Sequence, residues 1–457
     1  METRDATTGT PVVSRRSFLQ GGLAAGVVAA AGLSGLGKRS SHLQPGKPHF
    51  AVQTPPKGDI TIWDRSGDTY EVFDTVIPLF NRVYPDIKIN HVQVDVDTKL
   101  PPTLAAGVDV PDGSFYEDIN IVQVQEDLHD LRPWIDEYLD NIVPFKRSIY
   151  TFDNRVVAVP WDFDPMVLWY RQDVFDKAGV DPAGLTTFTA LTNAASTIKE
   201  KVPSASAPIF FDGLASNIQG MVAGFGNQLH TPMVTASGQP NLNNPQFLQV
   251  LDWMKDVADK KLVTIAQGGT TDEFAAVNQG SEVIIPSGTY YDYLFQFQAT
   301  ATAGKWRATL LPAWTTGGAR SGVDGGSGFI VPSKGKQPYL AFLWFAFLNF
   351  NKVGYTAQFG PNKIYPEGLN TVLPSYLPAL DASKPLFKPF KAVGDQNLWA
   401  LFTEAAKQVP GGFRLPTWYN QAANYFGSNV ELLLAGKMGP QQVLTQSTSQ
   451  IKSNIIR

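Results

Sequence analysis

Apolar and polar residues follow one another in short blocks that predict strands and helices in alternation. Asp59 to Asp64 alternates with a period of two, as a strand does, and the apolar residues from Val72 to Phe80 recur at helical spacing. Pro85 ends that helix, and a second alternating segment starts at Ile87. A strand, a helix and a strand in this order predict a parallel βαβ unit, and therefore an α/β protein.

A central segment, residues 152–179, combines apolar runs with a polar turn. Val156 to Val159 predicts a strand that ends at Pro160, and Met166 to Tyr170 predicts a second strand before a helix that Gly179 ends. Between them lies the turn Trp161-Asp162-Phe163-Asp164. Aromatic rings and carboxylates suit a sugar, because rings pack on its C–H faces and carboxylates accept hydrogen bonds from its hydroxyls.

Two further groups of candidate ligand-binding residues lie at the ends of predicted strands. Ligands of parallel sheets bind outside the carboxyl ends of the strands, which places Trp63, Asp64 and Ser66 at the edge of a cleft. Gly288 ends another predicted strand, where the backbone must bend tightly or approach a ligand, and Tyr290 beside it offers a ring face and a hydroxyl. Core packing is the alternative interpretation of Trp63 and Tyr290.

Composition narrows the function further. A chain of 457 residues exceeds one compact core, so two lobes are expected. A net charge of -4, without a basic stripe among aromatics, argues against a nucleic-acid partner and for a neutral or weakly charged ligand. The absence of cysteine excludes disulfides, thiolate catalysis and Cys-type zinc sites, and the five histidines lack metal-binding spacing. We expect no metal, no cofactor and a monomer.

The sequence pattern of the first 50 residues predicts an export signal and a disordered start of the chain. Ser14 to Leu19, with Arg15-Arg16 at its centre, resembles the twin-arginine signal, and Gly21 to Leu36 is a short apolar segment rich in alanine and glycine. This apolar segment is shorter than the about 20 residues that a membrane-spanning helix needs. We therefore expect export across the cytoplasmic membrane, to the periplasm or cell surface, with an uncleaved anchor as the open alternative.

Several motifs resemble the extracellular solute-binding proteins of ABC importers, in their sugar-binding branch. The central segment carries the first match, in Asn154 to Pro160, Tyr170 to Asp173 and Phe175 to Gly179. Later matches follow in the family's order, so that the resemblance covers nearly everything from Asp59 onward. These later matches are Gly280 to Tyr291, Gly317 to Pro332, Gly360 to Pro366 and Arg414 to Gln421.

The resemblance implies a periplasmic-binding-protein-like fold, in which two α/β lobes are joined by a multi-segment hinge with a ligand cleft between them. One lobe would comprise residues 58–162 and 326–365, and the other residues 163–325 and 366–457. The implied function is non-catalytic: lobe closure captures a carbohydrate, a mono- or oligosaccharide, for delivery to the permease subunits of an ABC transporter.

The family's order adds candidates at the remaining cleft positions. Tyr116 and Asp118 fall where the family places a stacking aromatic and a hydroxyl acceptor, Gly326 and Ser327 lie in its return crossover, and Trp418 begins a cleft-lining helix. The predicted ligand-binding residues are Trp63, Asp64, Ser66, Tyr116, Asp118, Trp161, Asp162, Asp164, Gly288, Tyr290, Gly326, Ser327 and Trp418.

Alternatives stay open for both residues and function. Residues 113–120 depart from the family pattern, so that Tyr116 and Asp118 could lie in a solvated loop. Trp418 could belong to the core, and one carboxylate of the 161–164 turn could cap the turn. A secreted glycoside hydrolase could use two of the carboxylates as acid and base or nucleophile. The same fold could instead bind a polyamine or a glycerol phosphodiester.

Overall fold

The computed structural model describes residues 55–456 apart from 66–67, 236, 269, 362–364, 366–371, 384–390, 395 and 411–414. The predicted export signal and Ser66 therefore lie outside the described residues, as do parts of the matches at 360–366 and 414–421. The strands are β1 Gly58–Asp64, β2 Ile87–Gln93, β3 Gly113–Glu117, β4 Thr151–Phe152, β5 Arg155–Val156, β6 Ala158–Pro160, β7 Asp162–Phe163, β8 Met166–Arg171, β9 Ile209–Asp212, β10 Val263–Ala266, β11 Ile284–Gly288, β12 Trp306–Leu310, β13 Ser327–Ile330 and β14 Leu373–Pro374.

Helices follow most of these strands, as the alternating pattern predicts. They are α1 Asp68–Val83, α2 Val96–Ala106, α3 Asp118–Val124, α4 Arg132–Ile135, α5 Pro144–Ile149, α6 Gln172–Ala178, α7 Phe188–Lys201, α8 Ala215–Gln228, α9 Pro245–Asp259, α10 Thr271–Gln279, α11 Tyr291–Phe297, α12 Pro338–Phe350, α13 Lys352–Phe359, α14 Leu377–Ser383, α15 Trp399–Gln408, α16 Tyr419–Leu434 and α17 Pro440–Asn454. Within the described ranges, every helix is too short or too polar to cross a membrane.

The first lobe is built on a five-stranded sheet of order β2-β1-β3-β13-β6. Strand β1 pairs in parallel with β2 and β3, whereas β13 runs antiparallel to β3 and β6. Helix α12 packs against this sheet and is apolar almost all round because it is buried: Phe345 stacks on Phe329 of β13 at 4.7 Å, and Trp344 meets Phe80 of α1 at 5.2 Å.

The second lobe repeats this topology with strands that lie between residues 166 and 310. Its sheet has the order β10-β9-β11-β8-β12, in which β9 is parallel to β10 and β11, and β8 is antiparallel to β11 and β12. Trp253 of α9 packs at 4.6 Å from Phe188 and lies half-buried against the core of this lobe. Gly179 adopts a φ of 69° as it ends α6, in agreement with the predicted helix end.

Three chain segments lie side by side where the lobes meet. The amide of Asp164 donates to Gly325 O at 3.1 Å, so the outgoing and returning crossovers are hydrogen-bonded to each other. The third segment joins through β14, which pairs antiparallel with β7. Two α/β lobes on a multi-segment hinge are therefore confirmed. The lobe boundaries within the chain stay a prediction; helix α14, beyond residue 365, contacts α12 and α13 of the first lobe.

Candidate functional site

The carboxyl ends of both sheets meet at the hinge. In the first lobe β3 ends at Glu117, and the antiparallel β13 begins there with Ser327. In the second lobe β11 ends at Gly288, and the antiparallel β8 begins beside it. The crossover between the lobes carries Asp162 at the first edge and Asp164 at the second. We call this place the hinge cleft, defined by Asp118, Asp162, Ser327, Asp164, Gly288 and Asp324.

On the first-lobe side, Asp162 is bound to the return crossover. Its Oδ1 accepts hydrogen bonds from the amide and the hydroxyl of Ser327, both at 2.7 Å. Burial raises the pKa of Asp162, and the nearby ammonium of Lys146 opposes that rise. Glycine is required at 326, because its φ is 141° and a Cβ there would lie 2.9 Å from the carbonyl oxygen of Asp162.

Asp118 and Glu117 each have a basic partner at this edge. Asp118 Oδ1 accepts from the ammonium of Lys146 and from the hydroxyl of Tyr150. Glu117 pairs with the guanidinium of Arg65. Burial nevertheless raises the pKa of Glu117 to about 8, because the cation only partly offsets desolvation and the neighbouring carboxylates.

On the second-lobe side, two carboxylates hold the end of β11. Asp164 Oδ1 accepts from the hydroxyl of Thr289 at 3.0 Å. Asp324 Oδ2 accepts from the Ser287 hydroxyl at 2.6 Å and from the Gly288 amide at 2.5 Å. Burial raises the pKa of Asp324 to about 6, and the pKa of Asp164 also lies well above its usual range because of burial and the charge of Asp162.

Tyr290 folds back over the glycine at the end of β11. Its half-buried ring lies so close that a Cβ on Gly288 would be 2.6 Å from it. Its hydroxyl lies 3.1 Å from the Ser287 hydroxyl. Gly288 is therefore needed for close approach, as the strand pattern predicts. The ring is held next to Asp164 and Asp324, so an aromatic face and two acceptors stand together.

A side-chain hydrogen bond joins helices α16 and α3 of the two lobes directly. Asn420, in the first turn of α16, donates to Asn120 Oδ1 on α3 at 3.0 Å. Asn120 in turn donates to Asp97 Oδ1 at 2.9 Å. Trp418 immediately precedes α16 and is half-buried. Its indole thus stands near the point where the second lobe meets the first.

A family model described as bacterial extracellular solute-binding protein matches residues 64–355. The chain belongs to this family. Like the family as a whole, this solute-binding protein works outside the cytoplasmic membrane.

Relatives and solved structures agree with this assignment. The solute-binding protein is 25% identical over 316 residues to the arabinooligosaccharide-binding protein of Bacillus subtilis, covering 65% of this chain and 70% of that one. It is 22% identical over 413 residues to the arabinooligosaccharide-binding protein of Halalkalibacterium halodurans, covering 87% and 89%. Its fold is similar to the ABC transporter associated binding protein of B. animalis subsp. lactis in complex with β-1,6-galactobiose, with a TM-score of 0.67, 19% identity and coverage of 87% and 97%.

The structure of this solute-binding protein brings most of the predicted residues to one place. Asp118, Asp162, Asp164, Gly288, Tyr290, Gly326 and Ser327 share the hinge cleft, whereas Trp418 packs in part against the core near Asn420. Residues 113–117 form a fully buried strand, and Asp118 is 3% exposed. The solvated-loop alternative for Tyr116 and Asp118 is therefore wrong.

Two tryptophans and one carboxylate have partners inside the first lobe. Trp161 packs between Phe73 at 5.2 Å and Phe115 at 5.7 Å, and its indole N–H donates to Gln358, so it is a core residue and not a stacking plate. Trp63 is buried, with the Lys99 ammonium 4.6 Å from its ring centre.

Asp64 accepts a hydrogen bond from the Thr69 hydroxyl at 2.9 Å and lies 3.5 Å from His91 Nε2. Burial raises the pKa of Asp64. Its side chain therefore stabilises the start of α1, and the structure does not bring it to the hinge cleft.

Sequence reasoning missed several charged groups of the hinge cleft. Lys146 is a lone lysine between Phe145 and Ile149 at helical spacing, a pattern that ordinarily marks a helix lying on a core. Asp324 precedes Gly325-Gly326, so its place in a glycine-rich crossover was a usable signal. No sequence signal marked Glu117 apart from its neighbour Asp118.

Proposed function

We propose that the protein captures a carbohydrate in the hinge cleft and delivers it to the permease subunits of an ABC transporter. The proposal rests on the position of Asp162 and Asp164. They lie two residues apart on one crossover, and each is hydrogen-bonded to a different lobe. Among the described residues, neither Oδ2 atom has a hydrogen-bond partner, so each can accept from a hydroxyl. Both side chains are at least nine-tenths buried, where such bonds are strong.

An oligosaccharide is the ligand size that we propose. The two relatives named above bind arabinooligosaccharides by name, and the similar structure holds a disaccharide. Two predicted stacking rings, Tyr290 and Trp418, would suit more than one sugar unit. In this proposal Tyr290 and Trp418 stack on sugar faces, whereas Asp118, Asp162 and Asp164 accept from hydroxyls.

We also propose that the protein does not hydrolyse its ligand, acts as a monomer and is exported by the twin-arginine route. The family consists of binding proteins. The Asp162 Oδ1 atom is occupied by Ser327, which suits a fixed acceptor more than an acid or base that must exchange protons. The export route rests on Ser14 to Leu19 alone.

A thermal-shift screen of the purified protein tests the proposed function. The panel would contain arabinooligosaccharides, β-1,6-galactobiose, lactose and maltose, with spermidine and glycerophosphocholine as non-sugar ligands. A sugar at 100 times its Kd stabilises a protein by about 2.7 kcal/mol, which is readily measured. We expect a shift with an oligosaccharide that Asp162→Ala abolishes. A shift with spermidine or glycerophosphocholine alone, or release of monosaccharides, would overturn the proposal.

A further inference from the structure

Lys146 on α5 is a charged residue with no exposed surface, and its ammonium donates three hydrogen bonds. Its Nζ lies 2.9 Å from the carbonyl oxygen of Ser327 and 3.0 Å from the Tyr150 hydroxyl, and it also donates to Asp118 Oδ1. These bonds use all three protons of the ammonium. Burial of an ammonium is costly unless charges and hydrogen bonds compensate it, so its position is set where the three acceptors meet.

Two glycines allow this cluster to approach the hinge. A Cβ on Gly328 would lie 2.5 Å from the Tyr150 hydroxyl oxygen, and one on Gly326 would lie 3.1 Å from Asp118 Oδ2. Any larger side chain at 328 would push Tyr150 away from β13. The cluster of Lys146, Tyr150 and Asp118 is therefore fitted closely against the return crossover.

Ser327 connects the ammonium to the cleft. Its carbonyl oxygen accepts from Lys146, while its amide and hydroxyl both donate to Asp162 Oδ1. Burial raises the pKa of Asp162, and the Lys146 ammonium is the strongest influence against that rise, stronger than the opposite effect of Asp118. One buried cation thus serves two of the proposed acceptors.

We propose that Lys146 is a positioning residue of the hinge cleft, which fixes the return crossover at Ser327 and orients Asp118 and Asp162 as hydrogen-bond acceptors. The proposal rests on the proposed function, since oriented acceptors matter for a ligand that donates hydrogen bonds. Lys146 acts through these residues, because its own donors are already used.

The first test compares sugar affinity as a function of pH. Lys146→Met removes the charge at similar length, and Lys146→Arg keeps it. The probe is arabinotriose, or the panel sugar with the largest thermal shift, measured by titration calorimetry from pH 5 to 8. We expect Lys146→Met to bind at least tenfold more weakly at pH 7. Its affinity should also begin to fall at a higher pH on acidification, because loss of the cation raises the pKa of Asp162.

The control and the conservative variant sharpen this test. Lys146→Arg should follow the wild-type pH profile. Lys199→Met should bind as the wild type does, because the Lys199 ammonium donates to the backbone of Lys260 and Lys261 at an exposed surface. A loss of affinity that is equal at every pH, or no loss at all, would reduce Lys146 to a structural role or none and would overturn the proposal.

A double variant covers the case in which Lys146→Met fails to fold. Removal of one partner from a buried ion pair is strongly destabilising, whereas removal of both is often tolerated. Lys146→Met with Asp118→Asn should therefore fold. Because Lys146 affects the pKa of Asp162 more than Asp118 does, the profile should still move to higher pH. A folded double variant with the wild-type profile would contradict the proposal.

Hydrogen exchange without ligand separates this proposal from the sugar assignment. In Lys146→Met, or in the double variant, the amides of β13 should exchange at least tenfold faster, while those of β9 in the second lobe stay unchanged. If the wild type binds no sugar, the proposed function fails, and this measurement still decides whether Lys146 fixes the crossover. Unchanged exchange in β13 would refute its positioning role.

Discussion

At the scale of single residues, Trp418 is the second aromatic ring that we propose for stacking on a sugar. It is half-buried at the start of α16, near the contact between the lobes. We expect Trp418→Ala to weaken sugar binding about tenfold, because a stacked ring is lost, with little change in thermal stability. Titration calorimetry and a melting curve measure the two effects.

Trp161→Phe is the matched control, because its ring lies in the aromatic core of the first lobe. We expect a lower melting temperature from the loss of packing and of the bond to Gln358, with affinity retained. If Trp418→Ala lost stability while its affinity stayed intact, the indole would be a packing residue and not a stacking plate.

We predict that the buried Glu282 makes the stability of the folded protein depend on pH. Its side chain is fully buried, and among the described residues neither carboxyl oxygen has a hydrogen-bond partner. Burial, followed by the charge of Glu273, raises the pKa of Glu282 to about 9. An acid with a raised folded-state pKa contributes stability that is fully present below its unfolded pKa, near 4.5, and is lost as the pH rises toward 9.

Glu282→Gln should therefore match the wild type near pH 4.5 and be more stable by about 1–3 kcal/mol at pH 8. Urea denaturation at several pH values provides the measurement. Glu200→Gln, at an exposed position, serves as the control and should show no such divergence. A constant difference across the pH range would contradict this prediction, because it would show that the pKa of Glu282 is the same in the folded and unfolded protein.

Sequence patterns predicted the polar residues of the crossovers better than the aromatic ones. Asp162, Asp164 and Gly288 follow from strand ends and tight turns, which are local features, whereas Gly326 was predicted from the family resemblance. Whether a tryptophan faces ligand or core depends on residues distant in the chain, such as Phe73 and Phe329 around Trp161. The pairing of Lys146 with Asp118 likewise arises only in the folded chain.

At the scale of elements, α16 and α3 form a contact between lobes. The bond from Asn420 to Asn120 joins residues 300 apart in the chain, so it exists only when the lobes are close. We expect Asn420→Ala to release bound sugar about threefold to tenfold faster, because one interlobe hydrogen bond is lost, while the association rate stays unchanged. Stopped-flow fluorescence would measure both rates.

Asn243→Ala provides a control of the same residue type. Asn243 also accepts a long-range bond, from Gln441 at 2.8 Å, but at an exposed site within the second lobe. Its dissociation rate should equal that of the wild type. If Asn420→Ala dissociated no faster than Asn243→Ala, the contact between α16 and α3 would not hold the closed form.

Elements with strong periodicity or with a continuous apolar run, such as β8, were predictable, whereas β3, which mixes polar and apolar residues, was not. Strand β1 and helix α1 lie close to their predicted ranges, because alternation and helical spacing mark their exposed faces. Strand β3 has five buried residues in succession and so carries no alternation. It lies between β1 and β13 in the centre of the sheet, a fact that depends on the later return of the chain.

At the scale of the whole molecule, two similar lobes turn the carboxyl ends of their sheets toward one hinge. The order of motifs predicted this architecture, since three crossovers imply two lobes. The electrostatics of the cleft required the structure. Residues as distant in the chain as Glu117, Asp162 and Asp324 are brought together there, and burial raises the pKa of all three carboxyls.

The most direct measurement of the central claim is a calorimetric titration of the wild type and Asp162→Ala with the sugar selected by thermal shift, followed by chromatography of the recovered sugar. We predict saturable binding of one sugar per chain, at least a hundredfold weaker in Asp162→Ala, with the sugar recovered intact. Equal affinity in the two proteins would remove the hinge carboxylates from the site. Cleaved sugar would make the protein an enzyme and contradict the account.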